Sequence, residues 1–255
     1  MLIPFIWTLS TSLTKFGNVY KFPPQWIPNP IVLKNYIEGW NYAPFIIYLK
    51  NSTLITFSVL IGTLLSSSFV AYAFACLKAP GRNFLFILVL STMMIPYAVL
   101  MVPLYSLFRQ LGWIDTFKPL IVPAFFGNAF FIFLLRQFFL SIPHSLIDAA
   151  KIDGCGPFGI YWKIMLPLVK PALITVAILS VMGTWNDFMA PLIYLNSAAK
   201  YTLTLGLASF QSHYGGYRTE LIMAVTIIVT TPLLVLFFFA QKYFIRGVIM
   251  TGLKG

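Results

Sequence analysis

Side chains that could do chemistry are few in this chain of 255 residues, and none of them forms a catalytic pattern. Six Asp and Glu residues are accompanied by two histidines and two cysteines. His144 and His213 stand alone, as do Cys76 and Cys155, so neither a metal site nor a disulfide is predicted. The sequence also lacks the GxxxxGK(S/T), HExxH and CxxC motifs. We therefore expect no covalent catalysis, no ATP hydrolysis, no cofactor and no metal.

Asp187 is the acidic residue with the most unusual surroundings, because it is the sole charge between Pro171 and Leu195. A carboxylate in a membrane span is costly unless it faces water, protein or a partner. Asp187 and its neighbours Trp185 and Asn186 are therefore candidates for lining a translocation pathway. Two structural alternatives remain open: a hydrogen-bond network around Asp187, and a role for Trp185 as an anchor at the membrane boundary.

The composition is that of a polytopic membrane protein. Hydrophobic residues make up 59% of the chain and charged residues 9%, and the mean hydropathy is +0.86. A soluble domain carries about 25% charged residues. The net charge of +11 could suggest nucleic-acid binding, but the cations are scattered singly between apolar runs and form no basic face. No nucleic-acid partner is expected.

Five stretches are long and apolar enough to predict membrane-spanning helices. They are residues 51–77, 83–108, 119–135, 171–195 and 221–241. Residues 1–14 are apolar but too short for a span, so we expect the natural chain to begin further upstream. Lys and Arg residues divide almost evenly between the two sets of connecting segments, so the positive-inside rule does not fix the orientation.

Two of these stretches contain residues that affect helix geometry. Pro96 and Pro103 predict kinks in the second stretch, which suits either a pathway-lining helix or ordinary packing. Ser58, Gly62 and Ser66 form a ridge of small side chains on the first stretch. Such a ridge lets another helix approach closely, and ordinary packing is the favoured interpretation.

The longest charged interval between apolar stretches is 141–171, and its pattern predicts two short helices joined by a hinge. Ser141 is expected to cap the first helix, with Pro143 in the first turn. Gly154 should end that helix, and Pro157 should begin the second one. Four apolar residues then recur at helical spacing and predict one apolar stripe: Phe158, Tyr161, Trp162 and Met165.

The same interval resembles the EAA loop of permease subunits in binding-protein-dependent ABC importers. Asp148-Ala149-Ala150 is followed after three residues by Gly154, and nine residues later by Ile164-Met165-Leu166-Pro167. The family usually has Glu where this chain has Asp148. The resemblance implies a cytoplasmic loop that docks on the ATPase. The implied coupling residues are Asp148, Ala149, Ala150, Asp153, Gly154, Ile164, Leu166 and Pro167.

The resemblance extends over nearly the whole chain and is greatest to the smaller permease of carbohydrate importers of the maltose or glycerol-phosphate type. The supporting segments are the N-terminal PF-W, residues 185–188, residues 201–211 and residues 241–255. It implies an all-α permease domain over 1–255 with six membrane helices, the first truncated here, and external loops at 15–50 and 196–218. The implied partners are a second permease subunit, two ABC ATPase subunits, an extracytoplasmic solute-binding protein, a small-molecule solute and the lipid bilayer of a bacterial or archaeal cell membrane.

The 196–218 loop resembles the family loop that reaches the solute-binding protein. Glycines would permit close approach of the partner, and polar and aromatic side chains suit a sugar-like surface. The candidate contacts are Ser209, Phe210, Gln211 and Tyr214. A flexible connector is the alternative.

Two other kinds of protein were weighed against an ABC permease. A secondary transporter should carry ion-coupling acids in several spans, and Asp187 is the one strong candidate. A membrane-embedded enzyme should cluster histidines or acids on facing helices, and the sequence shows no such cluster. Within the ABC family, a non-sugar solute remains an alternative, because the sequence does not identify the solute.

Overall fold

The structure is a computed structural model that describes residues 3–23, 25–213 and 218–252, with the side chains of 211–213 and 241–252 excepted. Within these residues the fold is all helical, as predicted, and no strand occurs. The α-helices are α1 (Ile3–Ser12), α2 (Lys34–Tyr42), α3 (Phe45–Cys76), α4 (Arg82–Ser91), α5 (Tyr97–Gln110), α6 (Lys118–Ile121), α7 (Ala129–Leu140), α8 (His144–Ile152), α9 (Pro157–Ile160), α10 (Leu166–Leu168), α11 (Lys170–Trp185), α12 (Met189–Tyr194), α13 (Leu203–His213) and α14 (Thr219–Gly252).

Contacts within the chain group it into two compact units, where the sequence predicts one permease domain. Unit 1 comprises Met1–Leu54 and Trp185–Phe238, and unit 2 comprises Ile55–Thr184 and Phe239–Gly255. Each unit has its own buried apolar cluster.

In unit 1, a buried amide joins the first two helices. Asn35 on α2 donates through Nδ2 to the carbonyls of Ser12 and Thr14, at 2.9 Å each. These carbonyls lie at and just beyond the end of α1, where no helical N–H group reaches them. Gly39 lies against α14, because a Cβ there would be 3.0 Å from the carbonyl oxygen of Leu221. The segment predicted as an external loop at 15–50 therefore contains an ordered helix, and α3 begins already at Phe45.

In unit 2, the kink predicted at Pro96 is a complete break between two helices. α4 continues through a short 3₁₀ turn, Thr92–Met94, and is bent by 98° from α5 at Ile95 and Pro96. The small-residue ridge on α3 does allow close packing, since a Cβ at Gly62 would lie 2.7 Å from the ring of Phe125. Ser66 adds a hydrogen bond from its hydroxyl to the carbonyl of Ala124 (2.9 Å).

Three helices of the described chain are long and apolar enough to cross a membrane, and two bent pairs raise the number to five. The three are Phe45–Cys76, Lys118–Leu140 and Thr219–Ala240, and the second of them consists of α6, a 3₁₀ turn at Val122–Phe126 and α7. The bent pairs are Arg82–Met94 with Tyr97–Gln110 and Pro157–Leu168 with Lys170–Trp185. This agrees with the five predicted stretches except at 171–195. There α11 ends at Trp185, so its 16 residues reach about 24 Å, and α12 follows as a separate short helix.

Candidate functional site

The first helix of the 141–171 segment begins later than predicted. Ser141 belongs to the end of α7, where its hydroxyl donates to the carbonyl of Phe138 (2.8 Å). α8 starts at His144 with Pro143 in the cap position. The prediction of Ser141 as the cap was wrong because a residue that precedes proline is pushed out of the helical conformation, so Ile142 cannot continue a helix into Pro143.

Gly154 ends α8 as predicted, and it does so through a paired hydrogen-bond arrangement. Its φ angle is +78°, in the left-handed region that favours glycine. The N–H of Gly154 bonds to the carbonyl of Lys151 (3.0 Å), and the N–H of Cys155 bonds to that of Ala150 (2.9 Å). These two bonds define a Schellman motif, which fixes the direction in which the chain leaves the helix.

The second helix contains a wide turn that divides the predicted apolar stripe. Pro157 opens α9 as expected, but Tyr161–Met165 forms a π-helical turn in which the N–H of Leu166 bonds to the carbonyl of Tyr161. Pro167 explains this widening, because proline has no N–H group and its ring would collide with a helical carbonyl four residues earlier. Of the stripe, Tyr161 and Met165 are buried, whereas Phe158 and Trp162 are 67% and 53% exposed.

The buried side of the segment, here called the inner face, consists of Ile147, Ala150, Ile160, Tyr161 and Met165. It packs into the apolar cluster of unit 2 with residues of α3, α7 and α11. Two hydrogen bonds attach it to α3: the Tyr161 hydroxyl pairs with that of Ser68 (2.8 Å), and the Tyr72 hydroxyl donates to the carbonyl of Pro157 (2.9 Å). The inner face is therefore held by both apolar packing and specific polar contacts.

The opposite side, here called the outer face, consists of Asp148, Ala149, Ile152, Phe158 and Trp162, all of which are exposed. Ile152 is 87% exposed, and the rings of Phe158 and Trp162 are stacked with an interplanar angle of 9°. A stacked aromatic pair beside an exposed isoleucine is typical of a surface that another protein covers.

The predicted coupling residues divide between these two faces. Asp148 and Ala149 lie on the outer face, and Asp153, Gly154 and Pro167 are exposed nearby. The others pack against the apolar cluster: Ala150, Ile164 and Leu166. These three residues attach the segment to the apolar cluster of unit 2, so direct contact with the ATPase is left to the exposed ones.

Asp187 lies in the break between α11 and α12, where its carboxylate caps the second helix. Oδ1 accepts a hydrogen bond from the N–H of Ala190 (3.2 Å), and the Asp187 carbonyl accepts one from the Thr204 hydroxyl (2.7 Å). Asn186 is exposed beside it. The polar pair thus occupies a helix interruption, and the carboxylate has a structural role whatever else it does.

Trp185 is 8% exposed, and its indole N–H donates to the carbonyl of Val229 (3.1 Å). Its ring belongs to the apolar cluster of unit 1. In this conformation Trp185 presents almost no surface on which a solute could stack.

The 196–218 segment contains a helix, α13, which changes the roles of its predicted contact residues. Phe210 is 3% exposed and packs on Tyr42 and Phe45, so its burial contradicts an exposed binding-protein contact. It is buried because α13 turns its apolar side inward. Ser209 is half-buried, with its hydroxyl donating to the carbonyl of Gly206 (2.9 Å). Tyr214 and the side chain of Gln211 lie outside the described residues.

The sequence analysis missed an ionic network at the start of α14. Glu220 is 1% exposed, and its Oε1 accepts from Nε of Arg218 (2.6 Å). Arg218 also approaches Glu38 (3.5 Å), which pairs with Lys34 at 2.7 Å. The hydrogen bond from Lys34 lowers the pKa of Glu38. The sequence does contain an Arg-x-Glu pattern, Arg218-Thr219-Glu220, before the last apolar stretch. This pattern indicates a charged end to the stretch, but it does not identify Glu38 as a partner of Arg218.

Comparison with known proteins gives the family. The protein-family model described as "binding-protein-dependent transport system inner membrane component" matches residues 64–250, which is most of the chain. The arabinooligosaccharides transport system permease protein AraQ of Halalkalibacterium halodurans is 38% identical over 96% of this chain and 86% of its own length. The sn-glycerol-3-phosphate transport system permease protein UgpE of Yersinia enterocolitica is 31% identical over 91% and 84%.

Among solved structures, a bacterial ABC transporter involved in the import of the acidic polysaccharide alginate has a chain that aligns with a TM-score of 0.85. The identity is 26%, and the alignment covers 95% of this chain and 90% of that chain. The sequence comparison and the structural comparison thus agree, and each covers most of the chain. The chain belongs to the family of inner-membrane components of binding-protein-dependent transport systems. It is an ABC importer permease and not an enzyme, and a partner ATPase supplies the energy for transport.

Proposed function

We propose that this permease is one half of the translocation unit of a carbohydrate importer and that its 141–171 segment transmits the movement of the ATPase. The two-sided construction of that segment supports the proposal. Its inner face is packed and hydrogen-bonded to membrane helices, while its outer face leaves Ile152, Phe158 and Trp162 exposed. A movement of a docked ATPase would therefore be transmitted through the 141–171 segment to α3.

The proposed solute class rests on the relatives. One is named for arabinooligosaccharides, one for sn-glycerol-3-phosphate, and the aligned structure for alginate. Sugars and glycerol phosphate both carry hydroxyl groups on neighbouring carbon atoms, so a solute with vicinal hydroxyl groups is the common chemistry. A solute outside this class is the alternative.

The proposed partners follow the architecture of such importers. A second permease subunit completes the pathway, two ATPase subunits bind the outer faces, and a solute-binding protein delivers the solute from outside. Asn186 and Asp187 are the proposed pathway residues of this chain, because a helix interruption is where polar groups can face an aqueous cavity within a membrane.

Gly154→Val tests the coupling role. A Cβ at Gly154 meets no atom within 4 Å, so the substitution acts through backbone strain of roughly 1 kcal/mol or more. In the complex reconstituted with partner permease, ATPase and binding protein, we expect normal assembly of the two permeases, weaker ATPase retention and loss of solute-stimulated ATP hydrolysis. Asp148→Lys should have the same effect by reversing a charge on the outer face.

Gly112→Val is the matched control. Gly112 also has a positive φ, +67°, and open space around its Cβ position, but it lies outside the 141–171 segment. It should retain wild-type stimulation of ATP hydrolysis. Wild-type stimulation in both Gly154→Val and Asp148→Lys would show that the segment is only a connector.

A further inference from the structure

A cleft of about 550 Å³ lies beside α8 and is not explained by docking of the ATPase on the outer face. Four helices of unit 2 form it: the end of α3, the beginning of α4, the end of α7 and one side of α8. None of the residues of the family motif other than Asp148 lines it.

The charged side chains that line this cleft are mostly cationic. Lys78, Arg82 and Lys151 contribute three positive charges, against one carboxylate among the lining residues, that of Asp148. The Lys151 ammonium is 3.4 Å from Asp148 Oδ1, and both side chains are more than half exposed. Exposed pairs of this kind are weak, so Lys151 can exchange this partner for a more highly charged anion.

Arg82 is held in place at the cleft by the end of α3. Its Nη1 donates to the carbonyl of Leu77 (2.8 Å). A guanidinium has five N–H donors and binds phosphate oxygens with two of them in parallel. The contact with Leu77 therefore positions the group while leaving donors for a ligand.

Apart from these charged residues and the imidazole of His144, the lining is apolar, and the cleft lies at the end of two membrane helices. Ala75, Leu77, Leu140 and Ile147 contribute hydrocarbon walls. α3 ends at Cys76 and α7 at Leu140, and both belong to helices long and apolar enough to cross a membrane. Cations and hydrocarbon walls side by side suit an amphiphile better than a free anion, which would gain nothing from the apolar surface. Basic pockets between membrane helices on the cytoplasmic side are a known setting for anionic lipid headgroups.

We infer that this cleft binds the phosphate headgroup of an anionic phospholipid, with the upper part of an acyl chain against its apolar walls. The assignment to the cytoplasmic leaflet rests on the proposed function, because the proposed coupling of α8 to an ATPase gives this end of the permease its side. Binding itself requires only the cleft. A lipid at this point would contact both the membrane helices and α8.

Native mass spectrometry of the purified transporter complex, titrated with phosphatidylglycerol or phosphatidylcholine, tests the inference. We expect the wild type to retain phosphatidylglycerol preferentially. Lys78→Gln combined with Lys151→Gln should weaken its retention by about tenfold, since each cation near a lipid headgroup contributes appreciably. Arg82 is kept because it also bonds to the end of α3. Lys163→Gln combined with Lys170→Gln removes the same number of charges from positions outside the cleft and should retain the lipid as the wild type does.

Four results would overturn the inference. The first two are equal retention of the two lipids by the wild type and an equal loss of lipid in both double variants. The third is displacement of the lipid by millimolar inorganic phosphate, which would indicate a site for a free anion. The fourth is loss of the ATPase from the Lys78→Gln, Lys151→Gln variant with unchanged lipid retention, which would indicate a contact with the ATPase. The titration contains no ATP, so its outcome is independent of solute-stimulated hydrolysis, on which the proposed function depends.

Discussion

At Asp187 a capping hydrogen bond and a negative charge are carried by one carboxylate, and substitution can separate them. The bond from the Ala190 N–H to Oδ1 needs only an acceptor, which Asn also provides. A role in the pathway would depend on the charge. Ala removes both the acceptor and the charge.

We expect Asp187→Asn to assemble normally and to impair uptake, and Asp187→Ala to lose about 1 kcal/mol of stability as well, because α12 loses its cap. Uptake in proteoliposomes and thermal unfolding of the purified complex measure the two effects. If Asp187→Asn transports the solute at the wild-type rate and with the wild-type preference, the carboxylate is a cap and nothing more.

Individual residues were predictable where the backbone dictates the residue type. Gly154 was identified because few residues other than glycine end a helix in the left-handed conformation, and its φ of +78° agrees. Ser141 was misjudged because two local signals competed and Pro143 prevailed. Phe210 was misjudged because its polar neighbours suggested exposure, whereas its position on α13 turns it toward Phe45. Burial of a single aromatic in a polar segment depends on tertiary contacts that spacing alone does not contain.

Among the elements, α13 packs closely on α3 through a glycine. A Cβ at Gly206 would lie 2.2 Å from the ring of Tyr48, a distance that real side chains do not adopt. Gly206 is therefore required for helix packing within unit 1, where the sequence had suggested close approach of the binding protein.

Gly206→Ala should destabilise the protein by about 1–3 kcal/mol, because the added methyl group overpacks the contact with Tyr48. Gly183→Ala is the control, since a Cβ at Gly183 in α11 meets nothing within 4 Å. That change should be neutral or slightly stabilising, as alanine favours helix over glycine. Thermal unfolding in the same detergent should show a lower Tm for Gly206→Ala and an unchanged or slightly higher Tm for Gly183→Ala. A Tm of Gly206→Ala at or above that of the wild type would contradict the packing role.

The apolar elements were predictable because a bilayer demands long hydrophobic runs, and four of the five predicted stretches correspond to the observed spans. The helices inside polar segments were missed because contacts elsewhere in the chain order them. α2 is held by Asn35 and by Gly39 against Leu221. α13 begins where the Ser52 hydroxyl accepts the N–H of Leu203. The break after Trp185 was also missed, because hydropathy averages over a single polar pair.

At the scale of the whole importer, the 196–218 segment remains the proposed site of contact with the solute-binding protein. With Phe210 buried, the contact would have to involve the part of the segment beyond it. A photocrosslinker at Gln211 should capture the binding protein in the ATP-trapped complex. The same probe at Ala199, which is exposed in the same segment, should capture much less. Equal capture at both positions, or none at Gln211, would count against a specific contact.

The interruption between α4 and α5 limits what can surround this subunit. Ile95 and Pro96 have extended backbone angles in the middle of an apolar stretch, and Met94 beside them is 82% exposed. The Ile95 N–H bonds to the carbonyl of Thr92 (3.3 Å), and the Pro96 carbonyl accepts from the N–H of Val99 (3.0 Å). The ends of two helices still leave further amide and carbonyl groups without helical partners, and hydrocarbon tails provide none. We therefore expect water or another polypeptide, and not lipid, to cover residues 92–97 in the membrane.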